Sequence, residues 1–168
     1  IDGLLMVRTA LQPKRCLIGI EDNKPEAIRA MTEALGGEER DDILIVPLPS
    51  IYPTGGERQL IRVLTGREVP SSGLPADIGV VCHNVGTLAA IYRAVALGEP
   101  MISRLVTVAG GGVNRPRNFL VRIGTPVSHL IQLAGGYTDQ AERLIMGGPM
   151  MGFALASDEV PIIKGANC

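Results

Sequence analysis

The chain has 168 residues, and 16 Lys and Arg against 17 Asp and Glu give it a net charge of −1 at pH 7. This balance lacks the basic charge of a general nucleic-acid-binding protein, and a hydrophobic content of 46% is too high for a disordered chain. Glycine (21) and proline (12) make up about a fifth of the residues, against about 12% on average. Because they are scattered among apolar runs, they predict many turns, or backbone that lies close to a ligand.

The three cysteines, Cys16, Cys82 and Cys168, lie far apart and form no CxxC pair. This spacing argues against a disulfide scaffold and against a metal site within the chain, and it favours a reducing, intracellular compartment. No apolar run approaches the roughly 20 residues that a membrane helix needs. The chain opens at Ile1 without an initiator Met, so we expect an internal fragment of a longer protein.

The first part of the chain alternates helical and strand patterns. Apolar spacing predicts helices over 1–12, 25–35 and 59–64, and buried strands over 15–20 and 43–46. Asp22 or Asn23 is the expected cap of the second helix, and Gly36-Gly37 its end. Strand, helix and strand at this spacing predict a right-handed parallel βαβ unit, whose ligands bind beyond the carboxyl ends of the strands.

After a possible short strand over 80–82 and a helix that begins near His83 and ends at Gly98, the pattern changes. Residues 104–109 alternate with period two, and a glycine-rich connection leads to a second strand over 119–123, which predicts a hairpin. Thr125 is the expected cap of a short helix that begins at Pro126. Further strands are predicted over 143–146 and, at the end, over 160–163. The whole predicts an α/β fold followed by a small β-grasp-like α+β module.

The segment from Tyr52 to Glu57 is the first candidate site. Gly55 and Gly56 stand at a helix start, where they let backbone N–H groups approach a phosphate or a flat ring. Glu57, in the first helical turn, can bond a sugar, an amide or a ring edge. The alternative is that the glycines make a tight turn and that Glu57 only favours the helix N-terminus.

The second candidate runs from His83 to Thr87. Asn84 offers a donor and an acceptor to a heterocycle, but Asn is also a common helix cap. His83 has no second metal-binding residue at ligand spacing, so no metal site is predicted. Gly110 to Gly112 joins two strands and is expected to be a turn rather than a phosphate loop, while Glu21-Asp22 is either a ligand contact or a helix start.

Four motifs in this order resemble the C-subunit family of the bacterial Rnf ion-translocating electron-transport complex, and the resemblance covers almost the whole chain. The same layout is more distantly similar to the flavin-bearing, NADH-oxidising subunit of respiratory complex I. The motifs are Gly19-Ile-Glu-Asp-Asn-Lys-Pro-Glu-Ala-Ile28, Tyr52-Pro-Thr-Gly-Gly-Glu-Arg-Gln-Leu-Ile61, His83-Asn-Val-Gly-Thr-Leu88 and Met146-Gly-Gly-Pro-Met-Met-Gly152.

The resemblance implies three segments. A partial complex I flavin-type domain, with a parallel sheet, occupies 1–100, and a β-grasp module of the soluble-ligand-binding type occupies 101–152. Residues 153–168 then return toward an iron–sulfur region that this chain lacks. The family's flavin-phosphate loop is expected upstream of Ile1, and the cysteines of two [4Fe-4S] clusters downstream of Cys168.

The resemblance also implies a set of residues near FMN. Positions of the Tyr-x-x-Gly-x-Glu pattern face the flavin ring and the incoming nicotinamide in the relative, and a second pattern, Asn-Asn-Val-x-Thr, lies near the flavin. In the pattern near the flavin, His83 replaces the first Asn. Gly56 replaces one acid of the pair beside Glu57, and the 66–80 loop lacks the Lys and Phe that the relative uses around the nucleotide, so flavin contact is better supported than nucleotide contact. The cofactor-binding residues expected here are Tyr52, Gly55, Gly56, Glu57, His83, Asn84 and Thr87.

The function implied is electron transfer at FMN, between NADH and iron–sulfur centres, within an ion-translocating NAD/ferredoxin oxidoreductase. The chain offers no obvious general acid or base, which suits a cofactor-based reaction. The expected partners are the other subunits of the complex and NADH or ferredoxin, with no nucleic acid. The expected location is peripheral, on the cytoplasmic face of the bacterial inner membrane, although the fragment itself is expected to be soluble.

Because part of the pocket is expected to lie outside this chain, we expect the chain alone to bind FMN weakly or not at all and to be inactive. An alternative is a non-catalytic scaffold, in which the β-grasp module binds a ligand or a partner subunit. A third, a binder of a vitamin B12-type ligand, rests on fold analogy alone.

Overall fold

The computed structural model describes residues 1–36, 42–148 and 151–168. The chain divides into two compact units, Ile1–Glu99 and Pro100–Cys168, which are described separately. The predicted three-part division at residues 100 and 152 stays a prediction.

Within residues 1–36 and 42–99, the first unit contains one parallel pair of strands and four α-helices. Strands β1 and β2 pair in parallel from Cys16 opposite Ile43 to Glu21 opposite Leu48, which confirms the predicted parallel pairing. The elements, in chain order, are α1 (Asp2–Leu11), β1 (Cys16–Glu21), α2 (Pro25–Ala34), β2 (Ile43–Leu48), α3 (Glu57–Thr65), a 3₁₀ turn (Pro75–Ile78) and α4 (Val85–Leu97).

The core of the first unit forms between the sheet and the apolar faces of α1 and α2. Ile18 and Ile43 are buried on the sheet, and Leu35, just after α2, is buried against them. Leu4 and Leu5 of α1 pack against this cluster. This cover accounts for only part of the apolar runs of β1 and β2: Ile18, Ile43 and Leu48 are buried, whereas Leu44 is exposed.

Two predictions for the first unit are corrected. Neither Asp22 nor Asn23 caps α2, because Lys24 precedes the helix and makes no side-chain cap bond. The two side chains bond to Ser50 instead. Residues 80–82 form no strand. Gly36 has a φ of +85°, which suits the end of α2, whereas Gly37 lies outside the described residues.

In the described residues of the second unit, one helix packs on short antiparallel strand pairs. Strands β3 and β4 pair from Ser103 opposite Arg122 to Val108 opposite Arg117, which confirms the predicted hairpin. Buried Val106 and Val121 of the hairpin pack against Leu130 of the helix. The elements are β3 (Ser103–Val108), β4 (Arg117–Arg122), α5 (Val127–Leu133), β5 (Ile145–Met146) and β6 (Phe153–Ala154).

Several predicted boundaries in this unit are also corrected. Helix α5 begins at Val127, with Pro126 before it, so Thr125 does not cap it. The predicted strand over 143–146 is only two residues long, as β5. No strand forms over 160–163, because this segment makes a single bridge, between Pro161 and Pro126. In the Met146-to-Gly152 motif, Pro149 and Met150 lie outside the described residues.

The glycine run after β3 is a wide turn tied to the segment that follows α5. The amide and hydroxyl of Thr138 donate to the carbonyls of Gly112 (3.1 Å) and Gly111 (2.7 Å). The Asn114 side-chain amide donates to three consecutive carbonyls, those of residues 135–137, at 2.9–3.2 Å. The turn geometry predicted for this run is therefore present, with its carbonyls bound within the unit.

Candidate functional site

The carboxyl ends of β1 and β2 meet at one edge, as parallel pairing requires. Side chains tie the two loops that follow them: the Ser50 amide donates to the Asp22 carboxylate (3.2 Å), and the Asn23 side-chain amide donates to the Ser50 hydroxyl (2.6 Å). The Asp22 amide also donates to the Leu48 carbonyl (2.7 Å). Asp22 therefore joins the loops at the edge where ligands bind in open α/β sheets.

The segment between β2 and α3 is folded into consecutive tight turns. The Thr54 amide donates to the Ile51 carbonyl, and the Gly56 amide donates to the Pro53 carbonyl, both at 2.8 Å. These turns hold the Tyr52 side chain at the surface, 64% exposed. The Tyr52–Pro53 peptide bond is cis.

Helix α3 begins directly after these turns and has a free N-terminus. Gly56 is the N-cap residue and supplies no side-chain cap. Among the hydrogen bonds of residues 1–36 and 42–148, the backbone N–H groups of Glu57, Arg58 and Gln59 donate none. A first turn with unpaired N–H groups attracts acceptors and negative charge.

The two glycines before α3 differ in what surrounds them. A Cβ on Gly56 would lie 2.9 Å from the Gln59 side-chain oxygen and 3.2 Å from the Pro53 carbonyl oxygen. A Cβ on Gly55 would meet nothing within 4 Å. Packing therefore favours glycine at position 56, whereas position 55 is open to a neighbouring molecule.

Arg58 fixes a second loop beside the start of α3. Its guanidinium donates to the carbonyls of Pro70 (2.7 Å) and Gly73 (2.9 Å), with a longer contact to Val69 (3.4 Å). The Gly73 amide in turn donates to the Pro70 carbonyl (2.9 Å). The guanidinium thus uses its fork of donors to hold this loop against the first turn of α3.

Cys82, in the segment before α4, has a perturbed thiol. Burial raises the pKa of the Cys82 thiol, and the Glu57 carboxylate raises it further through its charge. The charge of Glu57, in the first turn of α3, therefore acts on Cys82, which precedes the second candidate segment.

Asn84 caps α4, as one of its two predicted roles requires. Its side-chain oxygen accepts a hydrogen bond from the Gly86 amide at 2.8 Å. The NH₂ group of the same side chain donates to nothing in the described part of the chain, so it is available to a ligand. His83 and Thr87 are exposed, and neither side chain has a partner in that same part.

The structure brings some of the predicted site residues together. Tyr52, Gly55, Gly56 and Glu57 lie in the consecutive turns and the helix start that follow β2, and the Glu57 charge acts on Cys82, before the second candidate segment. No described contact joins His83 or Thr87 to those turns. The sequence motifs do not predict a role for Arg58 or Cys82 in this region. The role of Arg58 does have a signal in the sequence: a loop rich in Ser, Gly and Pro follows it. Such a loop leaves backbone carbonyls unpaired, and an arginine side chain can donate to them.

Two further properties bear on function. None of the helices in the described ranges is long and apolar enough to cross a membrane. Within the same ranges, no three His, Cys, Asp or Glu side chains group so that they could hold a metal ion.

Comparison with known proteins supports the resemblance found in the sequence motifs. Residues 1–93 match the family model described as the Nuo51 FMN-binding domain, and residues 105–154 match the SLBB domain. The C subunit of an ion-translocating oxidoreductase complex from Pseudomonas aeruginosa is 56% identical over all 168 residues. The protein of the same name from Yersinia pestis is 51% identical over 168 residues. The C subunit of a proton-translocating ferredoxin:NAD(+) oxidoreductase complex from Clostridium ljungdahlii is 47% identical over 167 residues, or 99% of this chain.

This chain covers 21%, 27% and 36% of the lengths of those three proteins, in that order. The order of the two matched domains is the one that the sequence motifs predicted, and the resemblance to the C-subunit proteins is confirmed. The chain therefore belongs to the Nuo51 FMN-binding domain family, with an SLBB domain after the flavin-type domain.

Proposed function

We propose that this chain forms one wall of an FMN site in the C subunit of an ion-translocating oxidoreductase complex. The observation that carries the proposal is the match of residues 1–93 to an FMN-binding domain, because this range contains the whole loop edge at the end of the parallel strands. The proposed contact residues are Tyr52, Gly55, Gly56, Glu57, His83, Asn84 and Thr87.

The groups at this edge suit a flavin. The unpaired N–H groups at the start of α3 and the free NH₂ group of Asn84 are donors for the carbonyls of the ring or for a phosphate. Tyr52 offers an exposed aromatic face, and Gly55 leaves room for a close approach. Because these groups are exposed on one surface, the chain alone is proposed to bind FMN weakly.

Bound FMN would supply the exchange between two-electron and one-electron chemistry that electron transfer between NADH and iron–sulfur centres needs. The residues of this chain bind and orient the ring and set the polarity around it. The proposal for the whole subunit adds three points. The subunit carries [4Fe-4S] clusters, it exchanges electrons with NADH or ferredoxin, and it lies peripherally on the cytoplasmic face of a bacterial membrane. The names of the relatives, which include ferredoxin, NAD(+) and ion translocation, support it.

Variants at Asn84 separate its two roles. In the full-length subunit, Asn84→Asp keeps the oxygen that caps α4 but removes the NH₂ donor, whereas Asn84→Ala removes both. We expect both to weaken FMN binding about tenfold, the value of one lost hydrogen bond, while only Asn84→Ala lowers the melting temperature. FMN titration by flavin fluorescence and thermal unfolding of the apoprotein measure the two effects.

A matched pair of glutamates tests the α3 turn. Glu57 and Glu26 both lie in the first turn of a helix and are both exposed, but only Glu57 is at the proposed edge. We expect Glu57→Gln to change FMN affinity and Glu26→Gln to leave it unchanged. Unaltered FMN affinity in the Asn84 and Glu57 variants would exclude the proposed edge and favour the second candidate function, a ligand- or partner-binding scaffold.

A further inference from the structure

Strand β4 has one side that pairs with β3 and one side that points away from it. At the start of the ladder the Ile123 amide donates to the Ile102 carbonyl (2.9 Å), so the odd-numbered residues of β4 bond to β3. Because successive residues of a strand direct their backbone groups to opposite sides, those of Asn118, Leu120 and Arg122 point away from β3.

The outward side of β4 is a free edge. Five of its backbone groups have no partner among the described residues: the amides of Asn118, Leu120 and Arg122 and the carbonyls of Asn118 and Leu120. The Arg122 carbonyl accepts a bond from the Thr125 amide (3.2 Å). A strand edge with unpaired groups of this kind is a template for pairing with another chain.

An apolar pair lies beside this edge, on the face of the hairpin that is turned away from the core. Leu105 and Leu120 stand opposite each other, and their side chains are 68% and 72% exposed. A residue of an added strand that pairs with Leu120 directs its side chain to the same face, where an apolar group would cover Leu120. On the other face of β4, the half-buried side chain of Phe119 is the next apolar contact.

The charge around the edge is positive. Residues 100–138 include four arginines and no Asp or Glu. Arg117 and Arg122 stand at the two ends of β4, and both are exposed. Neither side chain forms a salt bridge or a hydrogen bond within the ranges that the structure describes. Both ends of the edge therefore offer a positive charge to a partner.

This charge distribution decides which strand fits the edge. A second copy of β4 would bring Arg117 and Arg122 of both chains together, and like charges at a strand pair are unfavourable. A segment with apolar residues at its centre and Asp or Glu at both ends would instead cover Leu120 and pair with the two arginines. In such strand addition the backbone bonds give affinity and the side chains give specificity.

We propose that β4 is a docking edge for an extended, acidic segment of another subunit of the complex, which joins the sheet of the second unit as an additional strand. The relatives of this chain are named as subunits of oxidoreductase complexes, and such a subunit has protein partners. The proposal rests on that complex and not on the FMN residues of the first unit. Either proposal can therefore fail while the other stands.

The test compares amide hydrogen exchange in the full-length C subunit alone and in the purified complex. Mass spectrometry with electron-transfer fragmentation resolves single amides. We expect the outward amides of Asn118, Leu120 and Arg122 to exchange at least about tenfold more slowly in the complex than in the isolated subunit. The amides of Phe119 and Val121, which already bond to β3, should exchange equally in both.

A charge reversal tests the acidic character of the segment. Arg122→Glu changes the edge, and Arg143→Glu is the matched control, because Arg143 is an exposed arginine of the same unit that lies before β5. In the complex, we expect Arg122→Glu to reduce the protection of the Asn118 and Leu120 amides at least about threefold and Arg143→Glu to leave it unchanged. Unaltered exchange of Phe119 and Val121 shows that the hairpin of each variant is folded.

Three results would overturn the proposal. The first is equal exchange of the outward amides in the complex and in the isolated subunit. The second is protection of these amides in the isolated subunit, because the strand would then come from the subunit's own chain or, where the protection falls on dilution, from a second copy. The third is protection in the complex that Arg122→Glu leaves unchanged, since the segment would then not be held by its acidic residues.

Discussion

Gly3 provides the sharpest test of the packing in the first unit. It is buried in α1, and a Cβ built on it would lie 1.9 Å from the Leu88 carbonyl oxygen and 2.6 Å from the Leu88 carbonyl carbon, both backbone atoms of α4. Ordinary contacts begin near 3.4 Å. In Gly3→Ala the two helices must therefore separate locally by about 1.5 Å, since backbone atoms cannot rotate away as a side chain does.

Two opposing effects set the change in the free energy of unfolding of Gly3→Ala. Overpacking of this kind costs about 1–3 kcal/mol, whereas Ala in place of Gly in a helix returns up to about 1 kcal/mol. We expect a net loss of about 1–2 kcal/mol in the free energy of unfolding. For a unit of this size such a loss lowers the melting temperature by about 5–10 °C.

Gly86 is the matched control, because it is the second residue of α4 as Gly3 is the second residue of α1. A Cβ on Gly86 would meet only the Asn84 side-chain oxygen, at 3.1 Å. Gly86→Ala therefore gains helix propensity without a backbone clash, and its stability should stay within about 0.5 kcal/mol of the parent. Urea unfolding followed by far-UV circular dichroism measures both variants. A Gly3→Ala midpoint equal to or above that of the parent, or an equal loss in Gly86→Ala, would refute the close packing of α1 on α4.

Three further predictions concern single side chains. Burial, with the hydrogen bond to Asp158 and its charge, raises the pKa of Tyr137 to about 12, so the folded phenol keeps its proton to higher pH than the unfolded one. The contribution of Tyr137 to the free energy of unfolding is then complete below about pH 10 and is lost as pH rises through about 12. Ultraviolet titration of the Asp158→Asn variant should show a lower pKa for Tyr137. Glu57→Gln should lower the pKa of Cys82 and speed its alkylation, measured in a variant without the other cysteines. An unchanged alkylation rate would mean that the Glu57 charge does not act on Cys82. Asn114→Asp keeps the shape of the side chain but loses the donor to three carbonyls. The free energy of unfolding should therefore fall by about 1 kcal/mol. An unchanged free energy would mean that these hydrogen bonds do not stabilise the unit.

The elements that the sequence predicted well are those whose signals are local. The apolar runs of β1 and β2, and the period-two pattern of β3, each identify a strand within six residues. Asn84 is a second local case, because a cap bonds to an amide two residues away. Such signals depend only on neighbouring residues, so one sequence is enough to recognise them.

The wrong predictions involve partners that are distant in the sequence. Asp22 and Asn23 have the side chains of helix caps, yet they bond to Ser50, 28 and 27 residues away. Val160 to Ile163 has strand propensity, but the Ile162 backbone bonds to Gly124 and Thr125. Propensity describes what a residue prefers locally and is overridden when a distant partner satisfies its polar groups better.

In the candidate site, too, the local features could be predicted from the sequence and the contacts between distant residues could not. The turn from Tyr52 to Glu57 could be predicted, because its residues are adjacent in the chain. The bonds of Arg58 could not, because they depend on how a loop 12 to 15 residues away folds against the helix start. Whether His83 and Thr87 belong to the site stays a prediction.

The hydrogen bonds of Arg58 have a consequence for how this protein can be changed. Surface loops rich in Ser, Gly and Pro usually accept insertions, so the segment around Ser71 would be an obvious place for an epitope tag or a fluorescent label. Here the carbonyls on both sides of that segment are held by an arginine that follows Glu57 directly. An insertion would pull on the first turn of α3, and a label placed there to observe ligand binding would alter the surface that it is meant to report.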